Sequence, residues 1–90
     1  MQKADLHIHS NCSDGSNSPS ELPKILSDAN VNIFALTDHD TVDGCLELSK
    51  TFDKFIRGVE LTCLCGSIKC HILGYGVDIY NKDLQALIAK

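Results

Sequence analysis

The amino-acid sequence predicts an α/β domain with the element order β-α-β-α-β-β-α. Three observations carry that expectation. Short apolar runs rich in β-branched residues are separated by stretches with helical spacing, the pattern of a parallel sheet with crossover helices. The 90 residues, 43% apolar and 22% charged, make one globular domain spanning 1–90 rather than a disordered chain. The link from Cys63 to Ile68 is too short for a crossover, so the last two strands form an antiparallel hairpin.

Residues 3–9 open with a period of two. Ala4, Leu6 and Ile8 are apolar while Asp5, His7 and His9 are polar, which reads as a strand with one apolar face. The loop 10–17 is dense in turn residues. Ser18-Pro19-Ser20-Glu21 reads as a helix start, with Ser18 as N-cap, Pro19 first in the helix and Glu21 as the reciprocal capping partner. If Ser20 is the cap instead, Pro23 falls in the first turn, where no backbone donor is needed. Leu22, Ile25, Leu26 and Ala29 then share one helix face, and the helix ends near Asn30.

Val31 to Leu36 is a nearly continuous apolar run, as in a strand buried on both faces. A second helix is expected to begin around Thr37–Thr41, with Val42, Cys45, Leu46 and Ser49 facing inward and Gly44 as its weak point. Phe55–Cys63 reads as a third strand, with Val59, Leu61 and Cys63 opposite Glu60 and Thr62. Gly66 permits a turn into a fourth strand, Ser67–Tyr75, with Ile68, Cys70 and Ile72 on one side and Lys69, His71 and Leu73 on the other. From Asn81 onward, Leu84, Leu87 and Ile88 mark a third helix.

Several function classes are excluded. A net charge of −4, from 8 basic and 12 acidic residues, gives no electrostatic basis for binding duplex nucleic acid. The longest apolar runs, such as Ile33–Leu36, have four residues, against about twenty for a membrane span. Met1-Gln2-Lys3-Ala4-Asp5 contains no apolar stretch of secretory length. The five cysteines are an odd set without an export signal, so they are expected to be reduced thiols in a cytoplasmic protein.

The chemistry lies in the four histidines, His7, His9, His39 and His71, all at or beside predicted strands. His7 and His9 at i, i+2 project the same way from one strand, with Asp5 on that face too. Two imidazoles and a carboxylate on one sheet face are costly to desolvate, and a divalent cation satisfies them. Asp14 lies in the loop just past that strand. His39 lies just past the second strand, flanked by Asp38 and Asp40, while Glu60 and His71 interrupt the third and fourth. Active sites of parallel α/β folds gather at the carboxyl ends of strands. Ser10 and Ser13 read as loop hydrogen-bonders rather than nucleophiles. Asp5, Asp38 and Asp40 are candidates to support the ligands from behind, and Asp40 or Thr41 could instead cap the second helix.

Asp5-Leu6-His7-Ile8-His9-Ser10 with Ser13-Asp14-Gly15, then Ala35-Leu36-Thr37-Asp38-His39-Asp40-Thr41, Gly58-Val59-Glu60-Leu61 and His71-Ile72-Leu73-Gly74-Tyr75-Gly76 resemble the polymerase-and-histidinol-phosphatase (PHP) family. The order and spacing look most like its stand-alone phosphoesterases, which include nucleoside 3′,5′-bisphosphate phosphatases and 5′-to-3′ exoribonucleases. The resemblance implies a distorted (β/α)7 barrel, of which residues 1–90 are the N-terminal part. It also implies two or three divalent ions, manganese, zinc or iron. His7 and His9 would bind one ion, Asp14 and His39 a second and His71 a third, with Glu60 bridging two. The family completes the set with a further histidine and an Asp-x-His pair downstream, so this portion is expected to be an incomplete barrel with an incomplete ligand set.

The implied activity is hydrolysis of phosphate mono- or diesters of nucleotides or short oligonucleotides by a metal-bound hydroxide. The alternatives are a non-catalytic truncated remnant or metal-binding module, and a small zinc protein built on Cys63, Cys65, Cys70 and His71. Arg57 and Lys69 could contact phosphate, or simply be solvated charges. An open barrel edge is expected to promote self-association.

Overall fold

The computed structural model describes residues 3–89; Met1, Gln2 and Lys90, which entered the reading of the chain's two ends, lie outside them. The expected order is the observed one, with a short 3-10 turn added: β1 (Ala4–Ile8), the turn Pro19–Glu21, α1 (Leu22–Asp28), β2 (Ile33–Leu36), α2 (Asp43–Ser49), β3 (Ile56–Cys65), β4 (Ile68–Tyr75) and α3 (Lys82–Ile88). The strands form one sheet in the order β1-β2-β3-β4. β1, β2 and β3 run parallel, and β3 pairs antiparallel with β4 from Gly58↔Tyr75 to Cys65↔Ile68. No described helix is long and apolar enough to cross a membrane.

The sheet is strongly curled. The Tyr75 hydroxyl at the end of β4 donates to the Leu6 carbonyl in β1 at 2.8 Å, although two strands lie between them. Three strand spacings in a flat sheet come to about 14 Å, beyond the reach of a tyrosine. The curl therefore turns one sheet face into a trough, the partial barrel that the sequence implied.

The Ser18 start is realised in the 3-10 turn, whereas Ser20 caps nothing: the N-cap of α1 is Glu21. The Ser18 N–H and hydroxyl both donate to Glu21 Oε1, at 3.0 and 2.8 Å, capping the 3-10 turn that begins at Pro19. Pro23 then occupies the first turn of α1, where a missing donor costs nothing. Each α-helix has seven residues, too short to persist alone in water, so packing must hold them. Leu36 and Leu48 are fully buried, and Phe34, Val42, Cys45, Phe55, Val59 and Ile79 join them in the core. Phe34 stacks on Phe55 and Phe52 at centroid separations of 5.8 and 6.1 Å. Each such buried side chain contributes about 1.5–3 kcal/mol of transfer free energy.

Several expectations need correction. The apolar side of β1 is covered only at its end: Ala4 and Leu6 are exposed, while Ile8 is half-buried and packs against the core. In α1, Leu22 is buried and Leu26 is half-buried against the core, but Ile25 and Ala29 are exposed, so the inward face is narrower than the spacing suggests. β2 begins at Ile33 rather than Val31, because Asn30 takes a left-handed φ of 62° and the chain is still turning. α2 begins at Asp43, because residues 38–40 continue alongside β3 instead. Its inner face is Val42, Cys45 and Leu48, with Leu46 half-buried against the core and Ser49 also only half-buried. Gly44, read as a weak point, is a close approach: a Cβ there would meet the Asp38 carboxylate and the Ser10 hydroxyl.

Candidate metal centre

The backbone itself brings the polar residues together. His7 lies in β1 and His9 one residue beyond its end, so strand alternation sends both to the same side. Past β2, the Glu60 N–H donates to the Asp38 carbonyl (3.0 Å) and the Asp40 N–H to the Glu60 carbonyl (2.8 Å). These two bonds make an isolated parallel bridge between His39 and Glu60. Asp40 then takes a φ of 55° and turns the chain away. On the hairpin, Glu60 and Thr62 share a face, and His71 lies directly opposite Thr62. His71 therefore also points into the trough.

Glu60 is the hub. Its side chain is 7% exposed and meets three imidazoles. Oε1 lies 3.0 Å from His7 Nε2 and 2.7 Å from His9 Nε2, and Oε2 lies 3.0 Å from His71 Nδ1. His39 closes the row, its ring 4.8 Å from that of His71 and 6.1 Å from that of His9. Desolvation opposes ionisation of Glu60, but the hydrogen bond with His7 and the charge of the neighbouring imidazoles outweigh it and hold the carboxyl below its ordinary value.

Two of the imidazoles have an aspartate behind them. The Asp14 carboxylate hydrogen-bonds His9 Nδ1, and that bond lowers the Asp14 pKa. Asp40 Oδ2 lies 2.8 Å from His39 Nδ1. Desolvation pushes the Asp40 pKa up, but hydrogen bonds from the Thr62 N–H and hydroxyl, with His39, bring it below normal. Asp38 is buried and does not touch a histidine; it accepts from the Ser10 N–H (2.5 Å), the Ser10 hydroxyl (2.6 Å) and the Ser13 hydroxyl (2.8 Å). These bonds pin the loop after β1 to the end of β2, the role expected of both serines. Asp5 is exposed and, among the described residues, its carboxylate accepts from the His7 N–H at 3.2 Å. Neither Asp40 nor Thr41 is the N-cap of α2, which is Val42; Thr41, one residue earlier, accepts from the Asp43 N–H at 3.1 Å.

Two overlapping groups of donors result. His7, His9 and Glu60 form one, and His39, Glu60 and His71 the other, each with its ligand atoms within 4.8 Å of one another. The donors are nitrogen and oxygen only, a set that suits manganese, iron or zinc. His9 Nε2 gives the clearest sign of fit. It is buried and makes no aligned hydrogen bond despite lying 2.7 Å from Glu60 Oε1. A cation held between the two atoms would satisfy both. Asp14 belongs to neither group, and His39 is grouped with His71 rather than with Asp14.

The thiols form no part of this arrangement. Cys63 pairs with Cys70 across the hairpin, and alternation puts both on the face opposite His71. His71 is turned toward Glu60, so it cannot complete a Cys63-Cys65-Cys70 zinc site, and no thiol falls in a donor group among the described residues. Cys63 and Cys70 are half-buried and Cys65 is exposed, so they are not simple core hydrophobes. Arg57 packs over the Phe55 ring at 4.8 Å and donates to Ser49, away from the trough. Thr62 is the residue the sequence reading passed over. Its residue type marks it only as polar, and its role comes from its place opposite His71 and its hydrogen bonds to Asp40.

The PHP domain family matches residues 5–88. A 3′,5′-nucleoside bisphosphate phosphatase from Chromobacterium violaceum is 35% identical over 90 residues, covering 96% of this chain and 32% of the relative. A 5′-3′ exoribonuclease from Haemophilus influenzae is 36% identical over 91 residues, covering 97% and 33%. An amidohydrolase structure from Chromobacterium violaceum, with bound sulfate and no metal, superposes with a TM-score of 0.87 at 33% identity, covering 97% of this chain and 32% of that one. The chain thus spans about a third of the length of the curated relatives it matches.

Proposed function

The chain belongs to the PHP domain family, and on that premise we propose that it serves a metal-dependent phosphoesterase acting on phosphate mono- or diesters of nucleotides or short oligonucleotides. The observation that carries this reading is the single buried carboxylate of Glu60 shared by two groups of imidazoles. In this reading His7, His9, His39, His71 and Glu60 hold two divalent ions, manganese, zinc or iron, and Asp14 stands ready beside His9. When bound, paired divalent cations acidify a water and neutralise charge on phosphoryl oxygens.

The chain's own residues prepare that site. The Asp14 carboxylate accepts the Nδ1 proton of His9, which leaves Nε2 with a free lone pair facing Glu60. Glu60 supplies negative charge where two cations would otherwise repel. Asp38, through Ser10 and Ser13, keeps the loop carrying Asp14 against the end of β2. The nucleotide preference is carried over from the bisphosphate phosphatase and exoribonuclease relatives, and a cytoplasmic setting fits the unpaired thiols.

The test is phosphate release from a nucleoside 3′,5′-bisphosphate and from a 5′-phosphorylated oligoribonucleotide. Release that needs an added divalent cation and disappears in Glu60→Gln and His39→Ala supports the reading. Release indifferent to cation or to those substitutions overturns it, and cation binding with no release under any condition favours a non-catalytic metal-binding module. Turnover by these 90 residues alone is expected to be slow, because three donors in each group hold an ion loosely.

A further inference from the structure

We propose that Thr62 is a positioning residue for this centre, its hydroxyl fixing the Asp40 carboxylate so that His39 presents Nε2, and not Nδ1, as its free donor. The inference rests on the metal-centre reading above and adds a residue that the reading does not need.

Thr62 holds Asp40 from two directions. Its N–H donates to Asp40 Oδ1 at 2.8 Å and its hydroxyl to Asp40 Oδ2 at 2.8 Å. A threonine hydroxyl has one proton, so once it is given to Asp40 the oxygen can only accept. His39 Nδ1 lies 2.8 Å from Asp40 Oδ2 and 3.1 Å from Thr62 Oγ1. Both oxygens then face Nδ1 as acceptors, and the neutral ring must carry its proton there. The same hydroxyl lies 3.3 Å from Nε2, so the choice between the nitrogens is made by the shorter, charged contact of Nδ1 with Asp40, which leaves Nε2 its lone pair. The arrangement is anchored at both ends: the backbone bridge fixes His39 beside Glu60, and the Asp40 turn at φ 55° aims the carboxylate back at the ring. A carboxylate behind a metal-binding imidazole raises its basicity and fixes its orientation, and loss of such a partner typically weakens metal binding about 10–100-fold.

The test compares the unaltered chain with Thr62→Val, Thr62→Ser and Asp40→Asn. The tautomer of His39 is read without metal, from side-chain nitrogen-15 NMR shifts at mildly alkaline pH where free imidazoles are neutral. The expected result is a single Nδ1–H tautomer in the unaltered chain and in Thr62→Ser, and a mixture in Thr62→Val. Asp40→Asn should shift toward Nε2–H, because its amide would donate where the carboxylate accepts. Zinc titration against a chelating dye should show affinity about tenfold or more weaker in Thr62→Val, restored in Thr62→Ser. The same tautomer in all four proteins overturns the proposal even where zinc still binds. Failure of the unaltered chain to take up zinc instead counts against the reading beneath it, independently of the tautomer result.

Discussion

His39 and Glu60 face each other as an isolated parallel bridge three residues past the end of β2. That bridge joins the two donor groups, because it sets the imidazole of one strand exit beside the carboxylate of the next strand before any side chain chooses a rotamer. The trough is thus organised first by main-chain hydrogen bonds and then by carboxylates behind the rings.

The close approach at Gly44 leads to a stability prediction. An alanine in a helix is ordinarily favoured over glycine by about 1 kcal/mol. Here its methyl would press on the buried Asp38 carboxylate and Ser10 hydroxyl, so Gly44→Ala is expected to lose about 1–3 kcal/mol. Urea denaturation measures it, and a more stable variant would contradict the packing described.

The element order, the parallel-then-hairpin topology and the convergence of His7, His9, His39, Glu60 and His71 were legible because strand alternation and helix spacing are local. The covering of faces was not. Ala4 and Leu6 alternate as a buried strand should, yet whether a layer lies over them depends on partners outside the local pattern. Leu48 and Gly44 face inward because α2 starts later than its flanking residues suggested. Thr62 escaped notice because its importance comes from Asp40, 22 residues away in the chain, and from a turn geometry that no residue pattern announces.

Acid should loosen the centre. Glu60, Asp14 and Asp40 all have pKa values held below their ordinary ones. A carboxyl depressed in the folded state adds stability that is present above its ordinary pKa and is lost as pH falls through the folded value. Metal-free chain is therefore expected to lose stability as pH drops below the usual 4.5 of a glutamate, and Glu60→Gln should flatten that dependence. Denaturation midpoints across acid pH decide it, and identical slopes in both proteins would be the wrong outcome.

Alkaline pH acts through a different residue. Burial pushes the Cys45 thiol up from 9.0 to about 11, with Sγ set 3.4 Å from the Leu36 carbonyl. A raised pKa gives stability that is whole below pH 9.0 and is lost as pH climbs toward about 11. Cys45→Ala should lack that component of the alkaline fall. Alkylation with iodoacetamide should likewise label exposed Cys12 and Cys65 well before Cys45, and early labelling of Cys45 would refute its burial.

Exposed apolar side chains predict association. Leu64 is 75% exposed, Ile68 67% and Ile72 51%, all on the hairpin, and both β1 and β4 are open edges. Unpaired edges beside apolar surface favour contact between copies. Light scattering is expected to give a mass that rises with concentration above the 9.8 kDa of one chain. A constant monomer mass would contradict this.

Zinc X-ray absorption on the loaded chain tests most directly whether imidazoles gathered on Glu60 hold the metal. The expected spectrum shows nitrogen and oxygen neighbours at about 2.0–2.1 Å with imidazole scattering, unchanged when Cys63 and Cys70 are replaced by serine and lost in Glu60→Gln. Sulfur neighbours at about 2.3 Å, or a spectrum indifferent to Glu60→Gln, would contradict the account.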